Sequence, residues 1–264
     1  MQIKILIIGK NSFLGKNLFL FLNKKVKTRL ISFKDFCKID LSKLNKTTHI
    51  INCSVKKEYI NFFYKKKFDT DYFIVRKILK TKINYIHLSS RKVYKLGENL
   101  TERSKLLPLC KYSKNKLITE KLIKKNLKNR YLILRISNVV GKMTKSKNKV
   151  HNNFLSNFLY YKKKNIKLEI DDEYKDFITT NQLSLAILKL IKNNIKGIFN
   201  ISLGQRVYLS EITNWLDSNF AKSILFNKGK NYLKSFTLSN AKLLKKIKIR
   251  ITKNALKIFC KNLI

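Results

Sequence analysis

Glycine, proline and acidic residues are all scarce in this sequence. Its 264 residues include one proline, seven glycines and 15 aspartates and glutamates, against 59 lysines and arginines. Hydrophobic residues still make up 44% of the chain, so it can bury a large core and is not expected to be disordered. The length suits one α/β unit with a small C-terminal lobe better than two independent domains.

The shortage of acid leaves a formal net charge of +44. Dense lysine can indicate nucleic acid binding, because lysine neutralises phosphate. The lysines are spread along the whole chain, however, in short runs that mostly fall at predicted helix ends and loops, where solvated charge is normal. Lysine, asparagine, isoleucine, phenylalanine and tyrosine are enriched together, as pressure toward A/T-rich codons would produce. We therefore do not expect a nucleic acid partner, and an RNA-binding protein on the same fold is the competing interpretation.

Long apolar runs and clustered cysteines are also missing. No run approaches the roughly 18 residues of a membrane helix, and residues 1–9 form a predicted core strand with no small-residue cleavage site behind it. Neither membrane insertion nor secretion is indicated, so the cytoplasm is the expected location. Cys37, Cys53, Cys110 and Cys260 are widely scattered without metal-ligand spacing, so no metal is expected.

Strand and helix patterns alternate along the chain. Apolar segments predict five strands, near residues 2–8, 28–33, 48–53, 83–89 and 130–136. Helical periodicity predicts helices near residues 14–24, 69–80, 109–127, 152–164, 180–193 and 209–220. Such alternation is typical of an α/β fold with a Rossmann-type, doubly wound parallel sheet. A basic linker at 142–149 is the best candidate for a mobile loop near a substrate.

The first strand leads into a glycine-containing turn. Gly9, Ser12 and Gly15 occupy the spacing at which three glycines bind a dinucleotide, with serine at the middle position. A helix begins directly after this turn, and its free N–H groups can hold a pyrophosphate. The turn therefore favours nucleotide binding, although an ordinary strand-to-helix turn has the same outline.

A tyrosine and a lysine stand four residues apart at the start of a predicted helix. Tyr112 and Lys116 would share one helix face. A lysine beside a tyrosine favours the phenolate, so Tyr112 becomes a plausible proton donor and acceptor. Such a pair can interconvert an alcohol and a ketone. Because tyrosine and lysine are abundant here, the spacing is informative only together with the other motifs.

The ordered set of motifs resembles the extended short-chain dehydrogenase/reductases, the family of nucleotide-sugar epimerases, dehydratases and reductases. The resemblance runs over roughly the first 210 residues. It implies catalytic roles for Tyr112, Lys116 and Ser90, with Ser89 in reserve, because the catalytic hydroxyl usually lies four residues before the tyrosine of a Val-Tyr pair, here Tyr94. An active-site asparagine of the family is replaced by Asp69 or Asp71.

The resemblance also implies the residues that bind ligands. Those expected to contact the cofactor are Gly9, Asn11, Ser12, Phe13, Leu14, Gly15, Lys34, Asp40, Leu41, Asn52, Cys53, Ser54 and Lys116. Those expected to contact the substrate are Ser90, Asn138 and Lys175. NADP is favoured over NAD, because the second strand ends near Ser32 and Lys34 and lacks an acid at the family's usual position.

The resemblance implies an oxidoreductase that reduces a 4-keto nucleotide sugar, with Tyr112 as general acid, because residues 50–54 are similar to the rhamnose-precursor reductases of the family. Dehydratases of the family carry an acidic pair after the catalytic hydroxyl, whereas this chain has Arg91 and Lys92. The sequence is also compatible with an epimerase that binds NAD tightly and with an NAD(P)-sensing protein without turnover. Residues 1–150 are expected to bind the cofactor, and residues 151–264 to form an interleaved substrate-binding lobe. The sequence is compatible with a homodimer.

Overall fold

A computed structural model describes residues 2–142, 154–164, 168–227 and 235–263 of the protein. Its centre is a six-stranded, fully parallel sheet in the order β10-β5-β4-β3-β1-β2. The six strands are β1 (Lys4–Ile8), β2 (Lys27–Ile31), β3 (His49–Asn52), β4 (Asn84–Ser90), β5 (Tyr131–Ile136) and β10 (Gly197–Ile201). The predicted doubly wound α/β fold is therefore confirmed.

Helices cover both faces of this sheet. In the first half of the chain they are α1 (Phe13–Leu22), α2 (Phe33–Lys38), α3 (Lys57–Asn61), α4 (Thr70–Ile78) and α5 (Lys111–Leu127). In the second half they are α6 (Phe154–Lys164), α7 (Thr180–Lys192), α8 (Leu209–Leu216), α9 (Ser218–Ala221), α10 (Ala241–Lys246) and α11 (Lys253–Lys261). Within the described ranges, no helix is long and apolar enough to cross a membrane.

Side-chain alternation along β1 explains the two layers. Ile5 and Ile7 belong to a core shared with α1 and α7, whereas Leu6 and Ile8 belong to a second core shared with α4 and α5. Successive strand residues point to opposite faces, so a strand buried on both sides must be apolar throughout. This requirement produces the continuous apolar run at the start of the chain.

The second half of the chain adds three small two-stranded sheets to this frame. They pair β6 (Asn138–Val140) with β9 (Phe177–Thr179), β7 (Leu168–Asp171) with β12 (Ile224–Asn227), and β8 (Tyr174–Lys175) with β11 (Val207–Tyr208). The buried Asp176 carboxylate accepts the backbone N–H groups of Leu203, Gly204 and Leu238. It thereby ties this part of the chain to the C-terminal segment.

Several elements differ from the sequence predictions. The strand β10 was not among the five predicted strands, and the helices α2, α3, α10 and α11 were not among the predicted helices. The single helix predicted over 209–220 is divided at Asp217, whose side chain caps the N-terminus of α9. Short elements carry too few periods to be distinguished from loops. Apart from Lys142, the predicted linker lies outside the described residues.

A buried ion pair joins α5 to β5. The Arg135 guanidinium donates Nε to Glu120 Oε1 at 3.1 Å and Nη2 to Glu120 Oε2 at 2.7 Å. Both residues are at most 3% exposed, and Ser89 Oγ donates to the same carboxylate at 2.5 Å. The carboxylate therefore neutralises a buried cation and also fixes the end of β4.

We predict that Glu120→Ala lowers the free energy of unfolding by about 3–5 kcal/mol, because it leaves the Arg135 charge buried without a partner. Urea unfolding followed by circular dichroism measures this change. Lys124→Ala, at an exposed position of the same helix, is the control and should change stability by less than about 0.5 kcal/mol. Equal losses in the two variants would contradict the assigned role of the pair.

Candidate active site

The candidate site lies where the strands of the sheet end. The strand β2 pairs with one side of β1 and β3 with the other, so the strand order reverses at β1. Open α/β sheets bind their ligands at the carboxyl ends of the strands beside this switch point. The glycine turn follows β1 at this edge, and Ser90 ends β4 there.

Close backbone contacts explain both glycines of the turn. A Cβ atom on Gly15 would lie 2.4 Å from the Gly9 carbonyl oxygen, and Gly9 itself has φ +127°. Ser12 caps α1: its hydroxyl accepts the Gly15 N–H at 2.9 Å and donates to the Gly9 carbonyl at 2.9 Å. The serine at the middle position of the motif thus stabilises the turn.

The N-terminus of α1 offers donors to a ligand. The backbone N–H groups of Phe13 and Leu14 find no hydrogen-bond acceptor among the described residues. Together with the positive end of the helix dipole, such donors suit a diphosphate. Asn11 is exposed beside them, and Phe13 contacts the chain near Gly141. The predicted pyrophosphate-binding residues therefore surround one helix N-terminus.

An acid, Asp35, directly follows Lys34 after the end of β2, and the sequence analysis did not consider it. Asp35 Oδ2 accepts the Ser32 hydroxyl at 2.6 Å, while Ser32 Oγ accepts the Asp35 N–H at 3.0 Å. Hydrogen bonds from Ser32 hold the pKa of Asp35 below its usual range. This capping box commits both side chains to α2, and it leaves the exposed Lys34 as the ionic group open to a ligand.

The other predicted cofactor contacts, which follow β2 and β3, lie in different surroundings. Asp40 and Leu41 are both exposed at the start of a 3₁₀ turn. Asn52, in contrast, is buried at the end of β3, where its Oδ1 accepts the N–H and the hydroxyl of Ser54. Burial raises the pKa of the Cys53 thiol well above its usual range. The Asn52 side chain therefore holds the loop after β3 in place.

Tyr112 and Lys116 occupy one face of α5, as predicted. The Lys116 ammonium lies 5.9 Å from the centre of the Tyr112 ring and 5.6 Å from that of Tyr59, which packs edge-on against Tyr112. Lys116 is only 6% exposed. Burial opposes its charge, but Tyr112, Asp71 and Asp69 outweigh that effect and raise the pKa of Lys116.

The buried carboxylate of Asp71 faces this lysine. Its Oδ2 lies 3.9 Å from Lys116 Nζ. Its Oδ1 accepts the Tyr85 hydroxyl at 2.5 Å and the Asn52 amide at 2.9 Å, and lies 3.0 Å from His87 Nδ1. Burial would favour the neutral acid, but His87 and Lys116 outweigh it and hold the pKa of Asp71 below its usual range. Asp71 therefore supplies a negative charge to Lys116.

Asp69 and Asp71 have different roles. Asp69 Oδ1 accepts the N–H groups of Asp71 and Tyr72 and so caps α4, while its Oδ2 accepts the Thr119 hydroxyl at 2.7 Å. Burial and the neighbouring Asp71 raise the pKa of Asp69. Of the two candidates for the family's asparagine position, Asp71 is therefore the one that contacts Lys116.

Sequence reasoning missed the residues that support Asp71. Tyr85 and His87 are two apart on β4, so they point to the same face of the sheet, toward α4 and α5. Both are fully buried. Polar residues at alternate positions of an otherwise apolar strand were the signal for a buried polar network, since buried polar groups need partners.

The two candidate serines at the end of β4 have different hydrogen-bond partners. Ser89 is buried and donates to Glu120, so its hydroxyl is committed to the Arg135 ion pair. Ser90 is half-buried, and its Oγ accepts the Lys92 N–H at 3.2 Å at the start of a turn that packs on α5. This arrangement favours Ser90 over Ser89 as the hydroxyl open to a ligand.

The two remaining predicted substrate contacts, Asn138 and Lys175, lie on the small sheets formed by the second half of the chain. Asn138 begins β6, where its N–H donates to the Asp176 carbonyl at 3.2 Å and its side chain is half-buried. Lys175 on β8 pairs with Glu173 at 2.5 Å. Among the described residues, no group of histidine, cysteine, aspartate and glutamate could hold a metal ion.

The fold and the position of this site agree with the resemblance to the extended short-chain dehydrogenase/reductases found in the sequence. Residues 68–239 match the family described as the RmlD substrate binding domain, and the chain belongs to that family. No curated protein is similar enough in sequence to count as a match.

Solved structures share the fold over nearly the whole chain. A UDP-N-acetylglucosamine 4-epimerase from Methanobrevibacter ruminantium M1, in complex with UDP-N-acetylmuramic acid, superimposes with a TM-score of 0.81 at 17% identity, covering 100% of this chain and 97% of its own. A UDP-glucuronic acid 4-epimerase from Bacillus cereus, in complex with NAD, gives 0.75 at 18% identity and coverages of 98% and 96%. A dTDP-glucose 4,6-dehydratase from Bacillus anthracis str. Ames, in complex with NAD, gives 0.73 at 14% identity and coverages of 98% and 96%.

Proposed function

We propose that this protein is an NAD(P)-dependent oxidoreductase that reduces a 4-keto nucleotide sugar. The observation that carries the proposal is that Tyr112 and the buried Lys116 share the face of α5 that meets α4 and β4, where the buried Asp71 carboxylate of α4 faces the lysine. The membership of the family and the nicotinamide cofactors of the structural neighbours support it. Residues 1–150 would bind the cofactor and residues 151–264 the sugar nucleotide.

The residues of the chain fit a nicotinamide cofactor. The N–H groups at the start of α1 would bind its diphosphate, and the exposed Asp40 and Leu41 would lie at its adenine. Such a cofactor supplies a hydride to the keto carbon when it is bound. Tyr112 would donate the proton that the new alcohol oxygen needs, and Ser90 would hold that oxygen.

Lys116, which is also a predicted cofactor contact, would assist the proton transfer from Tyr112. Its buried ammonium, held by Asp71, favours the tyrosinate that remains after proton transfer. Elimination of water is not supported, because Arg91 and Lys92 follow Ser90 where dehydratases carry acids. We favour reduction over epimerisation because Lys34 suits the 2′-phosphate of NADPH, and NADPH is consumed in a reduction. NAD that remains bound through purification would favour an epimerase.

The central test is Tyr112→Phe. We expect this variant to keep its cofactor affinity and to lose about two to four orders of magnitude in turnover, the usual contribution of general acid catalysis. NADPH oxidation, monitored with a panel of 4-keto nucleotide sugars, measures the effect. Tyr131→Phe makes the same chemical change at the start of β5, at the opposite edge of the sheet, and should be fully active. Near-normal turnover of a folded Tyr112→Phe variant would remove Tyr112 from the mechanism.

Lys34 allows the cofactor preference to be tested. We predict that the protein binds NADPH more tightly than NADH and that Lys34→Asp narrows or inverts this preference, because the new carboxylate repels a phosphate. Calorimetric titration of both cofactors measures the ratio. Lys38→Asp places the same charge change at the other end of α2 and should preserve the ratio. Equal affinities for NADPH and NADH in the parent would contradict the role of Lys34.

Gly15 tests the position of the diphosphate. Even Gly15→Ala should abolish cofactor binding, because its Cβ would collide with the Gly9 carbonyl and displace the start of α1. The free energy of unfolding should fall by about 1–3 kcal/mol, the usual cost of overpacking. The shift in melting temperature caused by NADPH is the readout. In the control Gly97→Ala, the new Cβ would meet only a Leu100 side-chain atom at 3.3 Å, and the full shift should remain. An unchanged shift in Gly15→Ala would place the cofactor elsewhere.

A further inference from the structure

Arg91 directly follows Ser90 and has an unusual environment. Its guanidinium carbon lies 3.6 Å from the centre of the Phe236 ring, and Phe236 is itself fully buried. The residue is half-buried, and its Nε is buried without a hydrogen-bond partner. Among the described residues, no ion pair or hydrogen bond neutralises this guanidinium. A planar cation is therefore stacked on a buried ring, and it belongs to the residue that follows the candidate catalytic serine.

Leaving such a cation without a partner is costly. Burial lowers the pKa of Arg91 to about 10, so the group is still charged at neutral pH. The nearby groups that favour its charge are Cys110 at the start of α5 and Glu173 before β8. Glu173 is already paired with Lys175, and Lys92 adds a further cation beside Cys110. An anionic ligand would supply the hydrogen-bond acceptors that the protein leaves out.

We propose that Arg91 forms a subsite for a carboxylate on the sugar of the nucleotide-sugar substrate. This inference rests on the proposed function and narrows its substrate class to sugars with an acidic group, such as uronic acids. A guanidinium locked by stacking presents parallel N–H groups, which match the two oxygens of a carboxylate. Arg91 follows Ser90 at the carboxyl end of β4, so the Cα atoms of the two residues are about 3.8 Å apart. A group bound by Arg91 would therefore be closer to the sugar than to the substrate diphosphate, for which Asn138 on β6 is the proposed contact.

Matched pairs of ligands test this proposal. The intact protein, saturated with NADP, is titrated calorimetrically with UDP-glucose and UDP-glucuronate, with the corresponding dTDP and GDP pairs, and with each bare nucleoside diphosphate. The two members of a pair differ only in an alcohol or a carboxylate. We expect the uronate of one pair to bind roughly 10- to 100-fold more tightly than its alcohol partner, the range of a hydrogen bond to a charged group.

Variants assign that preference to Arg91. Arg91→Met keeps apolar cover over Phe236 but removes the charge, so it should bring the ratio close to one by weakening the uronate alone. Arg91→Lys keeps the charge but not the parallel donors, and it should retain part of the preference; it also serves if Arg91→Met does not fold. Lys92→Met removes the adjacent exposed cation and should retain the full preference.

The outcomes separate this inference from the proposed function. Equal affinity for the two members of every bound pair overturns the carboxylate subsite and leaves the proposed function standing. A preference that survives in Arg91→Met also overturns it. If Arg91→Met weakens the bare nucleoside diphosphate as much as the uronate, Arg91 binds the diphosphate, and the subsite is again rejected. Binding of no pair overturns both the subsite and the proposed function.

Discussion

The site depends on the contact between the buried Asp71 carboxylate and the Lys116 ammonium. A lysine that is 6% exposed loses most of its hydration, so its charge persists only beside a compensating anion. Asp71 supplies that anion, and Tyr85, Asn52 and His87 in turn hold Asp71. These partners come from β3 and β4, whose paired strands set their positions. The sheet therefore determines where the lysine can act on Tyr112.

Two neighbouring contacts fix the rest of the site by the same means. The Glu120 carboxylate binds Arg135 and the Ser89 hydroxyl, so it sets the end of β4 from which Ser90 and Arg91 emerge. The Ser12 hydroxyl closes the glycine turn and leaves the first N–H groups of α1 free for a ligand. In each case one polar group is fully hydrogen-bonded within the protein, and a neighbouring group, the Ser90 hydroxyl or the first N–H groups of α1, stays available to a ligand.

Much of this architecture was predictable from the sequence, because the five predicted strands and the helices that follow them have strong apolar periodicity. Spacing along the chain predicted the glycine turn between β1 and α1 and the shared helix face of Tyr112 and Lys116, and the structure has both features. The strand β10 was missed because it begins at a glycine and contains an asparagine, residue types that are depleted in strands. The roles of Asp71 and His87 depend on which strand and helix faces meet, and spacing along the chain does not contain that information. The capping role of Asp35 was missed although the sequence contains its signal, a serine followed three residues later by an acid at the start of a helix.

The most direct test of the account follows a hydride into the sugar. The protein is incubated with a panel of 4-keto nucleotide sugars and with NADPH whose nicotinamide C4 carries two deuterium atoms. The products are analysed by NMR. The account predicts deuterium at C4 of one sugar, with the ketone reduced to an alcohol and one NADPH oxidised for each product formed. NADPH that binds the protein but transfers no deuterium to any of these sugars would contradict it.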